Sequence, residues 1–199
     1  IELSRTGKPD EAERFYYDHI FDSVIERFTD KYSQNRQGEL LVSLLGFSPE
    51  PIILTAKALN PETHLIISNP VKEEIIQILD EYLETDYKLV VLENDDFQTI
   101  YKTIKESLSD YPTRNITIDI TGGKKSMVAS AAIFGKDYGS RIVYVDFAEY
   151  LKDLRKPIPG TEKLNEVYNP MKDQPENNFL RWSIKSLSLV GSYCLFSLE

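Results

Sequence analysis

The sequence predicts an α/β protein built on a Rossmann-like, doubly wound and mainly parallel sheet. Five short apolar runs rich in Val, Ile and Leu alternate with stretches of helical periodicity, at residues 40–45, 64–68, 88–92, 115–120 and 141–146. Near-continuous apolar strands separated by helices are typical of a parallel sheet that is covered on both faces. Right-handed crossovers between such strands favour the order 3-2-1-4-5.

The four intervening helices are predicted from apolar residues at helical spacing and from their end signals. They cover residues 51–60, 71–84, 97–108 and 125–138. Asn69 and Pro70 predict an N-cap followed by proline at the first position of the second helix. The polar side chains at 94–96 offer capping oxygens to the third helix, and Gly139 predicts a left-handed residue after the fourth.

Two segments lie outside this core. Residues 9 to about 34 predict an amphipathic helix that packs on the core or on a partner. Its predicted apolar face consists of Ala12, Phe15, Tyr16, His19, Ile20, Val24 and Phe28. Residues 150–156 and 163–168 flank the turn-forming sequence Pro-Ile-Pro-Gly at 157–160 and predict a C-terminal β-hairpin.

Composition limits the classes of function. The 199 residues carry 23 Lys and Arg against 32 Asp and Glu, and this net charge of −9 argues against binding duplex nucleic acid through a basic surface. Cys194 is the only cysteine, so an internal disulfide and a cysteine-based zinc cluster are excluded. His19 and His64 are the only histidines and lie far apart in sequence, so we predict no His-ligated metal, no Ser-His-Asp triad and no cofactor.

The chain shows no signal peptide, and its longest uncharged stretch, residues 186–198, is too short to cross a bilayer. We therefore expect a cytoplasmic domain. Because the chain begins with Ile1 rather than Met, we also expect a fragment of a longer protein, with an effector or an inner-membrane anchor attached. The predicted divisions are a helical extension at 1–38, a ligand-binding domain at 39–170 and a segment of undefined structure at 171–199.

The loop after the fourth strand carries the strongest signal for a ligand site. In a doubly wound sheet, ligands bind outside the carboxyl ends of the strands where the strand order reverses, here between strands 1 and 4. Glycines let backbone N–H groups approach a ligand, lysines and hydroxyls add charge and donors, and the next helix directs its free amides at the same point. We predict a phosphate-bearing nucleotide bound by Thr121, Gly122, Gly123, Lys124, Lys125 and Ser126.

Neighbouring loops supply further binding candidates. The loop after the first strand contributes Gly46, Phe47, Ser48 and Pro49. Ser48 is also expected to cap the helix that follows, and contact with the ligand is the alternative role. Ser68 and Asn69, after the second strand, are weaker candidates of the same kind.

The remaining polar residues of interest are predicted to be structural. Asp95 and Asp96 are expected to cap a helix, and both histidines are assigned to packing roles. Asp119 and Asp146 have no obvious partner for acid–base chemistry.

Standard nucleotide-binding motifs are absent. A Walker A loop requires Ser or Thr where Lys125 stands, and glycine where Ile118 stands. A dinucleotide fingerprint requires three spaced glycines after the first strand, and only Gly46 is present. These departures argue against ATP hydrolysis and against NAD(P).

Two of these loops resemble those of a known family. Residues 41–51 (Leu-Val-Ser-Leu-Leu-Gly-Phe-Ser-Pro-Glu-Pro) and 119–127 (Asp-Ile-Thr-Gly-Gly-Lys-Lys-Ser-Met) resemble the ligand loops of CARF domains, the CRISPR-associated Rossmann-fold sensors of type III systems. Residues 155–162 resemble the hairpin that follows the sheet in some members. The resemblance covers roughly residues 40–170.

The resemblance implies a homodimer that binds a cyclic oligoadenylate across its two-fold axis, with cyclic tetra-adenylate favoured over hexa-adenylate, and that switches an attached effector in antiviral defence. Residues 46–49 would line the bases and riboses, and residues 121–126 would hold phosphates or 2′-hydroxyls. The family also implies an alternative, a metal-independent ring nuclease that yields linear products with 2′,3′-cyclic phosphate ends. The candidate catalytic residues are then Lys125, Lys124 and Ser48. A small-molecule nucleotide or sugar-phosphate enzyme is a third hypothesis.

Overall fold

The predicted strand order is confirmed in the computed structural model, which describes residues 9–33, 40–111, 115–153 and 156–173. One six-stranded sheet consists of β1 (Leu40–Leu45), β2 (Thr63–Ser68), β3 (Tyr87–Val91), β4 (Ile116–Asp119), β5 (Arg141–Phe147) and β8 (Glu162–Tyr168). Its strand order is β3-β2-β1-β4-β5-β8. The first five are mutually parallel, and β8 pairs antiparallel with β5.

Helices cover both faces of the sheet, as the apolar strands predict. The crossover helices are α3 (Glu50–Leu59), α4 (Glu73–Tyr82), α5 (Phe97–Leu108) and α6 (Lys125–Asp137). Alternate residues of β1 separate the two layers, since side chains alternate across a strand. Val42 and Leu44 pack with Ile104 of α5 and Phe134 of α6, whereas Leu45 packs with the layer that contains α3 and α4.

The N-terminal amphipathic segment packs on the core, but it forms two helices rather than one. These are α1 (Pro9–His19) and α2 (Phe21–Tyr32), and Ile20 between them has non-helical angles of φ −124° and ψ −41°. Phe21 and Phe28 are buried against the α3 side of the sheet, whereas the side chain of Phe15 is 47% exposed. The break shifts the helical phase, so Tyr16 contacts the core while Phe15, predicted on the same face, does not.

An antiparallel hairpin follows β5, although it is shorter than the predicted segments. Its strands are β6 (Tyr150–Leu151) and β7 (Lys156–Pro157). The second predicted segment instead joins the main sheet as β8, where Leu164 pairs with Val145 and packs against the core. The short helix α7 (Pro170–Asp173) ends the described part, and residues 174–199 of the predicted C-terminal segment lie outside it.

Helix ends agree with the sequence signals at Asp96 and Gly139, but not at Asn69. Asp96 caps α5 by accepting a hydrogen bond from Thr99 N–H at 3.0 Å, and Gly139 has φ +63° after α6. The predicted cap at Asn69 is wrong, because α4 begins only after Lys72, which is extended with ψ 150°. Across the described residues, no helix combines the length and the apolar character that a membrane span requires.

Candidate functional site

The loops after β1 and β4 are in direct backbone contact at the carboxyl edge of the sheet. A Cβ atom added to Gly122 would lie 2.1 Å from the carbonyl oxygen of Leu44, and one added to Gly46 would lie 2.9 Å from the backbone nitrogen of Gly123. No side chain fits at either contact, so glycine is required for this approach. The structure therefore brings the two predicted loops together at the point where the strand order reverses.

The second loop leads into a helix whose first turn has no acceptor of its own. Gly123 turns the chain with φ +85°, and Lys124 is the N-cap residue of α6 with an extended backbone. No side chain caps α6, and its first turn contains no acidic residue. The first amides of a helix lack intrahelical partners and carry the positive end of the helix dipole. This end of α6 therefore presents N–H donors, with the partly exposed Ser126 beside them.

The two lysines of the loop differ in their surroundings. Lys124 forms an ion pair with the carboxylate of Asp95, and its side chain is 61% exposed. This hydrogen bond and the lysine charge hold the pKa of Asp95 below its usual value. Lys125 is also exposed and forms no ion pair with any residue in the described ranges. The expectation that Asp95 and Asp96 both cap α5 is thus wrong for Asp95, since Asp96 alone supplies the cap.

Thr121 is anchored from below by a buried carboxyl group. Both the N–H (2.9 Å) and the hydroxyl of Thr121 donate to Asp119 Oδ1, and Val145 N–H donates to the Thr121 hydroxyl oxygen at 2.7 Å. Burial raises the pKa of the fully buried Asp119 to about 6, although the hydrogen bonds from Thr121 lower it. The hydroxyl proton of Thr121 is therefore engaged within the protein.

Sequence reasoning missed this role of Asp119. An available signal was its spacing from Thr121, because an Asp side chain commonly accepts from the N–H two residues later in a turn. Asp119 is thus a positioning residue of the loop rather than a candidate acid or base in contact with a ligand.

The first loop presents an aromatic side chain to the outside. Phe47 is 97% exposed, Ser48 is exposed, and Pro49 is buried. The predicted capping role of Ser48 is wrong, because Pro49 is the N-cap residue of α3 and no side chain caps that helix. Ser48 instead interacts with the carboxyl group of Glu50. Burial raises the pKa of Glu50, and the hydrogen bond from the Ser48 hydroxyl lowers it. Phe47 and Ser48 are the members of this loop whose side chains a ligand can reach.

The two candidates after β2 take different positions. Ser68 is 1% exposed, and its hydroxyl has no hydrogen-bond partner among the described residues. The side-chain amide of Asn69 donates weakly to the sulfur of Met127 at 3.6 Å, which places it beside the first turn of α6. Asn69 therefore borders the site, whereas Ser68 lies beneath it.

The remaining candidates lie apart from these loops. His64 is buried, contacts the Ser43 hydroxyl at 2.9 Å and has a pKa lowered by burial to about 3. His19 is exposed on α1 and packs edge-on against Phe15. Asp146 caps its own strand end by accepting from Phe147 N–H at 2.8 Å. Within the described ranges, no three His, Cys, Asp or Glu side chains are grouped as metal ligands.

A cavity of about 340 Å³ lies at the opposite edge of the sheet and is not connected with these loops. It is lined by α2 and by the C-terminal ends of α3 and α4, including Thr29, Lys57 and Leu83. Lys57 already forms an ion pair with Glu84 at 2.8 Å. The candidate site therefore rests on the chemistry at the carboxyl edge and not on cavity size.

The chain has a similar relative in sequence, although no protein-family model matches it. It is 32% identical over 134 residues to the CRISPR system endoribonuclease Csm6 of Thermus thermophilus, across 65% of this chain and 29% of that protein. The chain thus spans less than a third of that relative's length. This relationship confirms the resemblance that the two loops indicate.

Two solved structures show partial similarity to this chain. Can2 of Sulfobacillus thermosulfidooxidans, in complex with cyclic tetra-adenylate, has 22% identity and a TM-score of 0.44, over 54% of this chain and 32% of that one. Csm6 of Enterococcus italicus, bound to cyclic hexa-2′-fluoro-hexa-dAMP, has 15% identity and a TM-score of 0.49, over 75% of this chain and 46% of that one.

Proposed function

We propose that the Rossmann-like domain of this chain, a CARF domain of type III CRISPR systems, senses cyclic oligoadenylate as a homodimer. The observation that carries this proposal is the uncapped N-terminus of α6, with Lys124 and Lys125, in backbone contact with the loop after β1. Two lysines and free helix amides are a site for phosphate groups. They stand out on a chain with a net charge of −9.

The shape of the site supports a ligand shared between two copies. Its loops form an exposed edge, and the 340 Å³ cavity lies elsewhere. An isologous dimer presents the same donors twice around its two-fold axis, which matches a symmetric ring of phosphates. In this arrangement four lysines surround the ring. The exposed aromatic ring of Phe47 stacks on an adenine base, a contact that the exposed Ser48 of the same loop cannot make.

We further propose that ligand binding changes the geometry of the dimer and thereby switches an effector. The chain matches 29% of the Thermus Csm6, so an effector belongs to the remainder of the longer protein in this proposal. A cytoplasmic location, with or without attachment to the inner membrane, is part of the same proposal. A ligand shifts such an equilibrium only by its difference in affinity for the two states.

Titration calorimetry tests the sensor function. We expect cyclic tetra-adenylate to bind at one ring per two chains, more tightly than cyclic hexa-adenylate and far more tightly than adenosine monophosphate. Sedimentation at the same concentrations should show a dimer. A chain that binds adenosine monophosphate as well as the rings would contradict the proposal and favour the small-molecule enzyme.

The same samples test ring cleavage. Attack by a 2′-hydroxyl on the adjacent phosphate requires alignment and charge stabilisation, and in this alternative the exposed Lys125 supplies the charge. Chromatography after hours of incubation separates the alternatives. Linear products with 2′,3′-cyclic phosphate ends would establish a ring nuclease, and recovery of the intact ring would leave a sensor without that activity.

A further inference from the structure

The ion pair between Asp95 and Lys124 joins loops from strands that are not neighbours. Asp95 follows β3 and Lys124 follows β4, and two strands separate these in the sheet. The loops meet because α5 and α6 pack side by side. Ser130 of α6 donates to the carbonyl oxygen of Phe97 at 3.1 Å, and helix packing therefore fixes the approach of the two loops.

The fold does not need the Asp95 carboxylate for helix capping. The adjacent Asp96 accepts both the N–H and the hydroxyl of Thr99, at 3.0 and 2.8 Å. Asn94 in turn accepts the N–H of Asp96 at 3.0 Å. The side chain of Asp95 is directed instead at the loop that we assign to phosphate binding.

We propose that Asp95 sets the affinity of the ligand site by competing with a ligand phosphate for Lys124. The inference rests on the proposed function, because it assigns a role within that site. In the free protein the carboxylate is an internal substitute for a phosphate oxygen, so a ligand must displace it before Lys124 can bind. Lys125 has no such competitor in the described part of the chain, and it contacts a phosphate first.

This arrangement raises the concentration at which the sensor responds. Until Asp95 is displaced, one of the two lysine charges of each loop is neutralised, which weakens attraction of any anion to the site. A ring of phosphates, which approaches both lysines, can replace Asp95 at Lys124. Asp95 thus determines how strongly the site holds a ligand rather than whether the loop folds.

Calorimetric titration of cyclic tetra-adenylate and cyclic hexa-adenylate into the wild-type chain and four variants tests the inference. The four variants are Asp95→Asn, Glu93→Gln, Lys124→Ala and the double variant Lys124→Ala with Asp95→Asn. Glu93 is a matched control, since it lies exposed on the same loop and its substitution removes an equal charge without touching Lys124. We expect Asp95→Asn to tighten ring binding about twofold to fivefold, the range for an exposed ion pair. Glu93→Gln should change affinity by less than about twofold.

The Lys124→Ala background isolates the pair from general charge effects. There Asp95→Asn should give no more gain than Glu93→Gln, because the interaction that it removes is already absent. An unchanged or weaker affinity of Asp95→Asn in the otherwise wild-type chain would overturn the inference and leave the proposed function intact. An equal gain in the Lys124→Ala background would also overturn it. Failure of both the wild-type chain and Asp95→Asn to bind either ring would overturn the proposed function together with the inference.

Discussion

Helices α5 and α6 lie side by side, and their N-termini meet the same edge of the sheet under opposite conditions. The end of α5 is satisfied from within, because Asp96 accepts the N–H of Thr99. The end of α6 has no side-chain cap and no acidic residue in its first turn, with Lys124 at its N-cap and Lys125 as its first residue. Both ends begin with amides that lack intrahelical partners, and both carry the positive end of a helix dipole. One end is closed by the chain, and the other is open to an anion.

The comparison shows that the electrostatic potential of a helix end does not by itself define a site. Among the described residues, α6 is distinguished by the lack of a side-chain cap, by Asp95 pairing only with the neighbouring Lys124, and by a backbone approach that only glycine permits. The following predictions test whether this difference is functional, beginning with the loop that supports the open end.

The largest effect is expected from adding a methyl group at Gly122, where the loops after β1 and β4 are in backbone contact. In Gly122→Ala the new Cβ would overlap the carbonyl oxygen of Leu44, at 2.1 Å, and neither backbone can move away without separating β1 from β4. We expect a loss of more than about 3 kcal/mol in the free energy of unfolding, measured by urea denaturation. The matched control is Gly139→Ala, which introduces the same methyl group at φ +63° with no atom within 4 Å. Its cost should be about 1–2 kcal/mol. Equal losses would show that the contact between the loops is not tight.

The next largest effect concerns the charge at the open end. Replacing Lys124 and Lys125 by Ala should weaken binding of cyclic tetra-adenylate by about 100-fold or more, since each charged hydrogen bond contributes roughly 1.5–3 kcal/mol. Calorimetry measures the affinity, and thermal melting should show an unchanged fold. The matched control replaces Lys102 and Lys105, two exposed lysines of α5, and should retain binding within about threefold. An unchanged affinity of the Lys124/Lys125 double variant would remove the central claim for this site.

The strand order and the two contacting loops were predictable because they follow from strong, local signals. Near-continuous apolar strands require cover on both faces, and parallel pairing then places the loops at 46–49 and 121–126 next to each other. The sixth strand was not predictable in the same way, because buried and exposed residues alternate only weakly along β8. In addition, the hairpin of β6 and β7 separates β8 from its partner β5 in the sequence. The helix break at Ile20 was not predictable either, because no proline or glycine stands near it in the sequence.

The finer chemistry of the site depends on side chains that are distant in sequence. Lys124 meets Asp95 only because two helices pack together, and no spacing in the sequence shows that contact. The role of Asp119 depends on its burial and on the position of Thr121, neither of which the sequence pattern shows. The sequence therefore predicts the candidate donors as a group, but not which of them are already engaged within the protein.

A smaller effect is expected from the buried carboxyl group of Asp119, which holds Thr121 in the loop after β4. Burial raises the pKa of Asp119 to about 6, above its ordinary value of 3.8, so the folded state binds its proton more strongly. Its contribution to stability is thus fully present below about pH 4 and is lost as the pH rises through 6. We expect the free energy of unfolding of the wild type, relative to Asp119→Asn, to fall by about 2 kcal/mol between pH 4 and 6.5.

Comparison with the variant is necessary because His64 acts in the opposite direction. Its pKa is lowered by burial to about 3, so its contribution is present above pH 6.5 and is lost as the pH falls. The wild type and Asp119→Asn both contain His64, so its contribution cancels when the free energies of unfolding from their urea denaturation curves are subtracted. A difference that does not vary with pH would show that Asp119 titrates normally and that its burial does not govern the loop.

The smallest effect is expected at the closed end, where Asp96 can be removed without changing the open one. The backbone hydrogen bond from Thr99 holds the pKa of Asp96 below its usual value, as expected for a carboxylate that caps a helix. Asp96→Ala should lower the melting temperature by about 2–4 °C, the scale for loss of one cap in a domain of this size. The control Gln98→Ala, an exposed neighbour in the first turn, should not change it. Affinity for cyclic tetra-adenylate should stay within about twofold, because the amides of α5 are not part of the proposed site. A loss of binding comparable with that of the lysine variant would mean that the two helix ends form one anion site, and the distinction between a closed and an open end would no longer hold.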